Sequence, residues 1–108
     1  MKEILEFIEL EDRRLREKYG DYPDSEKRNL ARTVKLTEEV GELCSEVLSS
    51  SKLQRQEKLD GHGKQELENE FADVVITTLL LAKSMDVDIE LALKNKIEKI
   101  NKRYEAKV

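Results

Sequence analysis

Acidic residues fall into two short groups whose spacing bears on chemistry: Glu39, Glu42 and Glu46 in one stretch, Glu70 with Asp73 in another. An α-helix advances about 100° per residue, so each charge can be placed against the apolar stripe of its own segment. With Leu36 at zero, Val40, Leu43 and Val47 lie within about 40°, and the three glutamates lie at about 240–300°. With Leu67 at zero, Phe71, Val74 and Thr78 lie near the centre of the stripe, and Glu70 and Asp73 again lie at about 240–300°. Each helix thus carries carboxylates on one edge of its core-facing surface, and antiparallel packing lets the two edges meet. Carboxylates crowded in a partly buried groove repel one another and raise their own pKa values. A cation resolves that conflict. Hard oxygen ligands without Cys or His suit Mg²⁺, or Mn²⁺, better than Zn²⁺. Mg²⁺ keeps waters and is commonly completed by substrate phosphates, which points toward phosphate-ester chemistry.

A complementary basic edge lies near the end of the chain. With Leu93 at zero, Lys96, Lys99 and Arg103 fall at about 240–300°, while Ile97, Ile100 and Tyr104 stay on the stripe. Lysines meet phosphate oxygens as point charges and Arg103 could engage them bidentately, so acidic and basic edges together could clamp a metal–triphosphate complex. Each feature has a plainer reading. The glutamates of the first group and the basic edge can be solvated faces of amphipathic helices, and a lysine could pair with Asp73. Asp73 is the harder to dismiss, because it interrupts an apolar run where an unpaired charge is costly. Cys44 reads as a small apolar residue and His62 as incidental. Neither belongs to a nucleophile–base constellation of the kind covalent catalysis needs.

The elements that must position these groups are helices. Ile4, Ile8, Leu15 and Tyr19 recur at helical intervals up to Gly20, and Gly20-Asp21-Tyr22-Pro23-Asp24 reads as a turn. Asp24 or Ser25 can cap a second helix, with Glu26 against its positive end. The run Ser49-Ser50-Ser51 is expected to end or fray that helix, leaving residues 49–63 as a mobile polar connection with room for a helical turn inside. A third helix is predicted from about Lys64 to Met85, apolar on most sides between Phe71 and Ala82, as a helix central in its bundle or in an oligomer interface would be. Its β-branched run Val74-Val75-Ile76-Thr77-Thr78 raises the thought of a strand, which the flanking helical pattern opposes. Asp88 looks like the N-cap of a last helix carrying Ile89, Leu93, Ile97, Ile100 and Tyr104. The expectation is one all-α domain over 1–108, a small antiparallel four-helix bundle.

Composition agrees and excludes other classes. The 108 residues are 41% charged and 38% apolar, with 24 acids, 20 bases and a net charge of −4. A general nucleic-acid binder would carry a basic excess, and a membrane span would need about 18 consecutive apolar residues, which the chain lacks. The N-terminus is unlike a secretory signal, and one cysteine fits a reducing cytoplasm. Four glycines, one proline and three tyrosines leave little for a many-stranded β fold. The scarcity of apolar residues and the breadth of the third helix's apolar surface suggest an oligomer.

Residues 38–42 read Glu38-Glu39-Val40-Gly41-Glu42 and residues 70–73 read Glu70-Phe71-Ala72-Asp73. The pair resembles the EExxE…ExxD signature of the MazG-type all-α nucleoside triphosphate pyrophosphohydrolases. Asn29-Leu30-Ala31, Asp73-Val74-Val75 and Lys96 through Arg103-Tyr104 extend the resemblance over roughly residues 25–105. It implies a Mg²⁺-dependent enzyme that cleaves a nucleoside triphosphate, ribo or deoxy, between the α and β phosphates to a monophosphate and pyrophosphate. It implies Glu39, Glu42, Glu70 and Asp73 as metal ligands and Glu38 as an outer-shell group or water-orienting base. Lys96, Asn101 and Arg103 would be phosphate-side residues. It also implies a homodimer or homotetramer whose subunits complete each other's sites. Members preferring pyrimidine deoxynucleotides often carry a tryptophan after the first motif, and this chain has none. The related phosphoribosyl-ATP pyrophosphohydrolases tend to carry Tyr-His where this chain has Ile76-Thr77, which disfavours that assignment. Residues 49–63 could act as a lid or alter substrate choice, and Tyr19, Tyr22 and Tyr104 could stack on a base or simply pack. The contrasting reading keeps the bundle without catalysis, as a helical dimerisation or regulatory module or a nucleotide sensor.

Overall fold

The computed structural model describes residues 1–19, 25–60 and 62–105, with 51–60 and 62 described as backbone only. Four helices follow one another: α1 (Lys2–Tyr19), α2 (Ser25–Asp60), α3 (His62–Ser84) and α4 (Ile89–Glu105), with no strand among the described residues. No helix is long and apolar enough to cross a membrane, among the described residues. The turn expected over Gly20 to Asp24, and Asp24 as a cap, lie outside the described residues.

Helix α2 runs through Ser49-Ser50-Ser51 to Asp60, so the expected break at the serine run is corrected to helix over 49–60, and helix is found again from His62. Two physical reasons account for this. The Ser50 hydroxyl donates back to the Val47 carbonyl at 3.0 Å, so it is satisfied inside the helix. Beyond it, Leu53-Gln54-Arg55-Gln56-Glu57-Lys58 is rich in strong helix formers. The β-branched run of α3 is helical for a related reason: Thr77 and Thr78 donate to the Val74 carbonyl at 3.2 and 2.8 Å.

The α2–α3 pair is the principal contact, and α1 lies on α3. Its register is antiparallel, since Arg28 meets Ser84, Arg32 meets the Leu80 carbonyl, and Glu39 meets Glu70 and Asp73. Among the described residues the buried apolar side chains are Ile8 from α1 and Leu79 and Leu80 from α3, with Leu15, Ile76 and Ile89 packed around them. Helix α3 ends in a Schellman-type turn. The Val87 N–H reaches the Ala82 carbonyl at 2.9 Å, the Asp86 N–H reaches that of Lys83 at 3.2 Å, and Asp86 adopts φ 55°. Asp88 then caps α4, its Oδ1 accepting from the Leu91 N–H at 3.1 Å, as the sequence predicts. Only Ile89 of α4 joins the core. From Glu90 to Glu105 the helix is exposed, including Leu93, Ile97, Ile100 and Tyr104 of its apolar stripe.

Candidate functional site

The antiparallel register of α2 and α3 sets the first acidic group against the second. One carboxylate oxygen from each of Glu39, Glu70 and Asp73 lies within 4.8 Å of the others. Glu39 is only 7% exposed, Glu70 is partly buried and Asp73 exposed, so the cluster opens outward on one side. Oε2 of Glu39 and Oε2 of Glu70 are buried and have no hydrogen-bond partner among the described residues. Buried carboxylate oxygens normally find donors, and orphaned ones mark a place where something polar belongs. Burial comes first among the causes that hold Glu70 above the usual carboxylate range, and the charges of Glu42, Asp73, Glu39 and Glu46 add to it. Three crowded carboxylates with no Cys or His in the set suit a hard divalent cation.

Glu42 and Glu38 are exposed neighbours outside this three-residue cluster. The charge of Glu42 is nevertheless the strongest carboxylate influence on Glu70. Glu38 lies 3.8 Å from Lys35 Nζ. Lys35 Nζ stands closer to Glu39 Oε1, at 3.1 Å, and that hydrogen bond and charge raise the Lys35 pKa above its ordinary value.

A pocket of about 490 Å³ adjoins the cluster between α1, α2 and α3, with Glu39 and Asp73 on its wall. Arg16, Arg28, Arg32 and Lys35 also line it, making a cationic surface beside the acidic one. These arginines are built in. Asp12 of α1, 4% exposed, holds Arg32 through Oδ1 at 2.8 Å and Arg16 through Oδ2 at 3.1 Å. Arg32 also donates to the Leu80 carbonyl at 2.8 Å, and Arg28 Nε donates to Ser84 Oγ at 2.9 Å. The Ser84 hydroxyl in turn donates to Asn29. This wall was not among the basic residues that helix angles single out. A signal was present: Asp12 lies about 40° from Ile8 and Arg32 about 40° from Leu36, so both are charges inside apolar stripes.

Lys96, Asn101 and Arg103 are exposed on α4 and are not brought to the acidic cluster within one chain. Of the tyrosines proposed to stack on a base, Tyr19 lines the pocket, Tyr104 is exposed on α4, and Tyr22 lies outside the described residues.

A family model described as the MazG nucleotide pyrophosphohydrolase domain matches residues 27–108. No curated protein and no solved structure matches the chain.

Proposed function

The chain belongs to the MazG nucleotide pyrophosphohydrolase family, and we propose that it is a Mg²⁺-dependent hydrolase converting a nucleoside triphosphate, ribo or deoxy, to its monophosphate and pyrophosphate. The observation that carries this reading is the juxtaposition of two unlike surfaces. Glu39, Glu70 and Asp73 converge, one oxygen each of Glu39 and Glu70 is buried without a partner among the described residues, and a cationic wall stands beside Glu39 and Asp73 in the adjoining pocket. A divalent cation held there neutralises phosphate charge and lowers the pKa of a bound water, which no protein nucleophile need replace.

The side chains divide the remaining work. Glu39, Glu70 and Asp73, with Glu42 at their edge, hold the cation. Lys35 and the arginines oppose the negative charge of the triphosphate, and Arg32, pinned by Asp12, keeps its orientation without substrate. Glu38, exposed beside Lys35, is the group available to orient a water or accept its proton.

The same reading includes assembly as a homodimer or homotetramer. The accessible surface is 8666 Å² for 12.6 kDa, where a compact monomer of that mass exposes about 6,200 Å². The α4 stripe of Leu93, Ile97, Ile100 and Tyr104 is exposed beside Lys96 and Arg103. A second copy covering that stripe would carry Lys96, Asn101 and Arg103 toward the acidic cluster of its partner.

The test is a panel of canonical and modified triphosphates with Mg²⁺, reading pyrophosphate and orthophosphate separately. Pyrophosphate from at least one substrate is expected, with the monophosphate in equal amount. Silence across the panel, or orthophosphate instead, overturns the reading.

A further inference from the structure

A role for Lys35 against the triphosphate does not account for where its ammonium sits. It is a cation seated on a proposed metal ligand, Nζ to Glu39 Oε1 at 3.1 Å. Its side chain is 57% exposed, whereas that of Glu39 is 9% exposed. The carboxylate is therefore fixed and the lysine is free to swing on its four-carbon stem. Lys35 also lines the pocket in which Arg16, Arg28 and Arg32 form the cationic wall. Two alternative sets of negative charge are thus within reach of one ammonium: the acidic cluster, and whatever anion fills the pocket.

We infer that Lys35 is an exchangeable counter-ion, seated on Glu39 in the empty protein and transferred to the substrate phosphates when a divalent cation takes its place. The inference rests on the metal-dependent reading above and adds to it a thermodynamic coupling. With Lys35 on Glu39, an incoming cation meets a like charge close to one of its own ligands, and its binding alone is weakened. A polyphosphate in the pocket gives the ammonium another partner, clears Glu39, and so tightens the metal. By linkage the metal tightens the polyphosphate by the same factor. The consequence is that metal and triphosphate load together, and the carboxylate cluster is not filled by free cation in advance.

The test uses the full chain, Mn²⁺ as the metal probe and inorganic tripolyphosphate as the anion probe, both followed by titration calorimetry. With chelation of Mn²⁺ by tripolyphosphate itself subtracted from a protein-free titration, the wild-type protein should bind Mn²⁺ weakly alone and more tightly with tripolyphosphate. Lys35→Met should bind Mn²⁺ alone roughly fivefold more tightly, the size of a surface ion pair, and should lose a similar factor of the tripolyphosphate effect. Lys35→Gln, which keeps a polar tip without the charge, should behave alike and guards against a variant that fails to fold. Equal or weaker Mn²⁺ binding by both variants, with helical content unchanged, overturns the inference. If those variants fail this test while the wild type binds Mn²⁺ and releases pyrophosphate, only the role of Lys35 is lost. If no form takes up Mn²⁺, the metal centre itself is wrong and the exchange with it.

Discussion

Replacing Asp12 with Ala should be among the most damaging single changes to stability, although Asp12 belongs to neither acidic motif. Its side chain is 6% exposed and joins two helices through Arg32, whose side chain is 11% exposed. Removing one member of a buried ion pair typically costs about 3–5 kcal/mol, because the other charge stays buried without its counter-charge. Two features place Asp12→Ala at the low end. Arg32 keeps its bond to the Leu80 carbonyl, and Arg16, a third exposed, can turn to solvent. The expected loss is about 3 kcal/mol, or a fall of about 12–24 °C in Tm for a chain of this length. That is a large share of the roughly 5–15 kcal/mol available to a small domain. Urea unfolding followed by circular dichroism, at one fixed protein concentration, measures it. The double variant Asp12→Ala/Arg32→Met should recover part of the loss, because removing both charges leaves none stranded. A loss under about 1 kcal/mol, or strict additivity in the double variant, would refute the argument that this pair is buried and coupled.

Glu70 supplies a pH prediction. Its pKa lies above the ordinary 4.5 in the folded chain, from burial and then from neighbouring carboxylates. The folded state therefore holds that proton more tightly than the unfolded state. The resulting stabilisation is full below the ordinary value and is lost as pH rises through the raised one. In chelator, the urea midpoint of the wild type should fall relative to Glu70→Gln as pH rises through that window, and a constant difference would contradict the placement of Glu70. Asp88→Ala removes the cap bond to the Leu91 N–H and should cost about 1 kcal/mol, seen as faster amide exchange in the first turn of α4. Asp88→Ser should largely retain protection, and equal exchange in all three proteins would show that the cap is idle.

Much of this arrangement is legible in the residues because helical period fixes angle. Glu39, Glu70 and Asp73 could be assigned to stripe edges before any packing was known, and the antiparallel register then sets those edges face to face. Asp88 could be assigned as a cap because a short side-chain acceptor before an apolar-periodic run has one common use. The end of α2 was not legible in the same way. Serine is a poor helix former on average, but Ser50 satisfies its hydroxyl on the Val47 carbonyl, and that local bond is invisible to a count of residue types. The Asp12–Arg32 pair was missed for another reason. In a chain with 24 acids and 20 bases, one more acid and one more base look like solvent-facing charge until two stripes are laid side by side. Finally, the apolar stripe of α4 is evident from Leu93, Ile97, Ile100 and Tyr104, but periodicity does not say which surface covers it. In the single chain these four residues stay exposed.

The central claim, that Glu39, Glu70 and Asp73 form a divalent-cation site, is tested most directly by Mn²⁺ titration followed by electron paramagnetic resonance. With tripolyphosphate present, and its own chelation of Mn²⁺ subtracted in a protein-free control, the wild-type protein should change the Mn²⁺ signal further and saturably. Glu39→Gln keeps the shape of the side chain and removes its charge. It should weaken that uptake by at least tenfold while its helical content stays unchanged, as expected when one charged ligand of a hard cation is neutralised. Uptake by Glu39→Gln equal to that of the wild type would contradict the account.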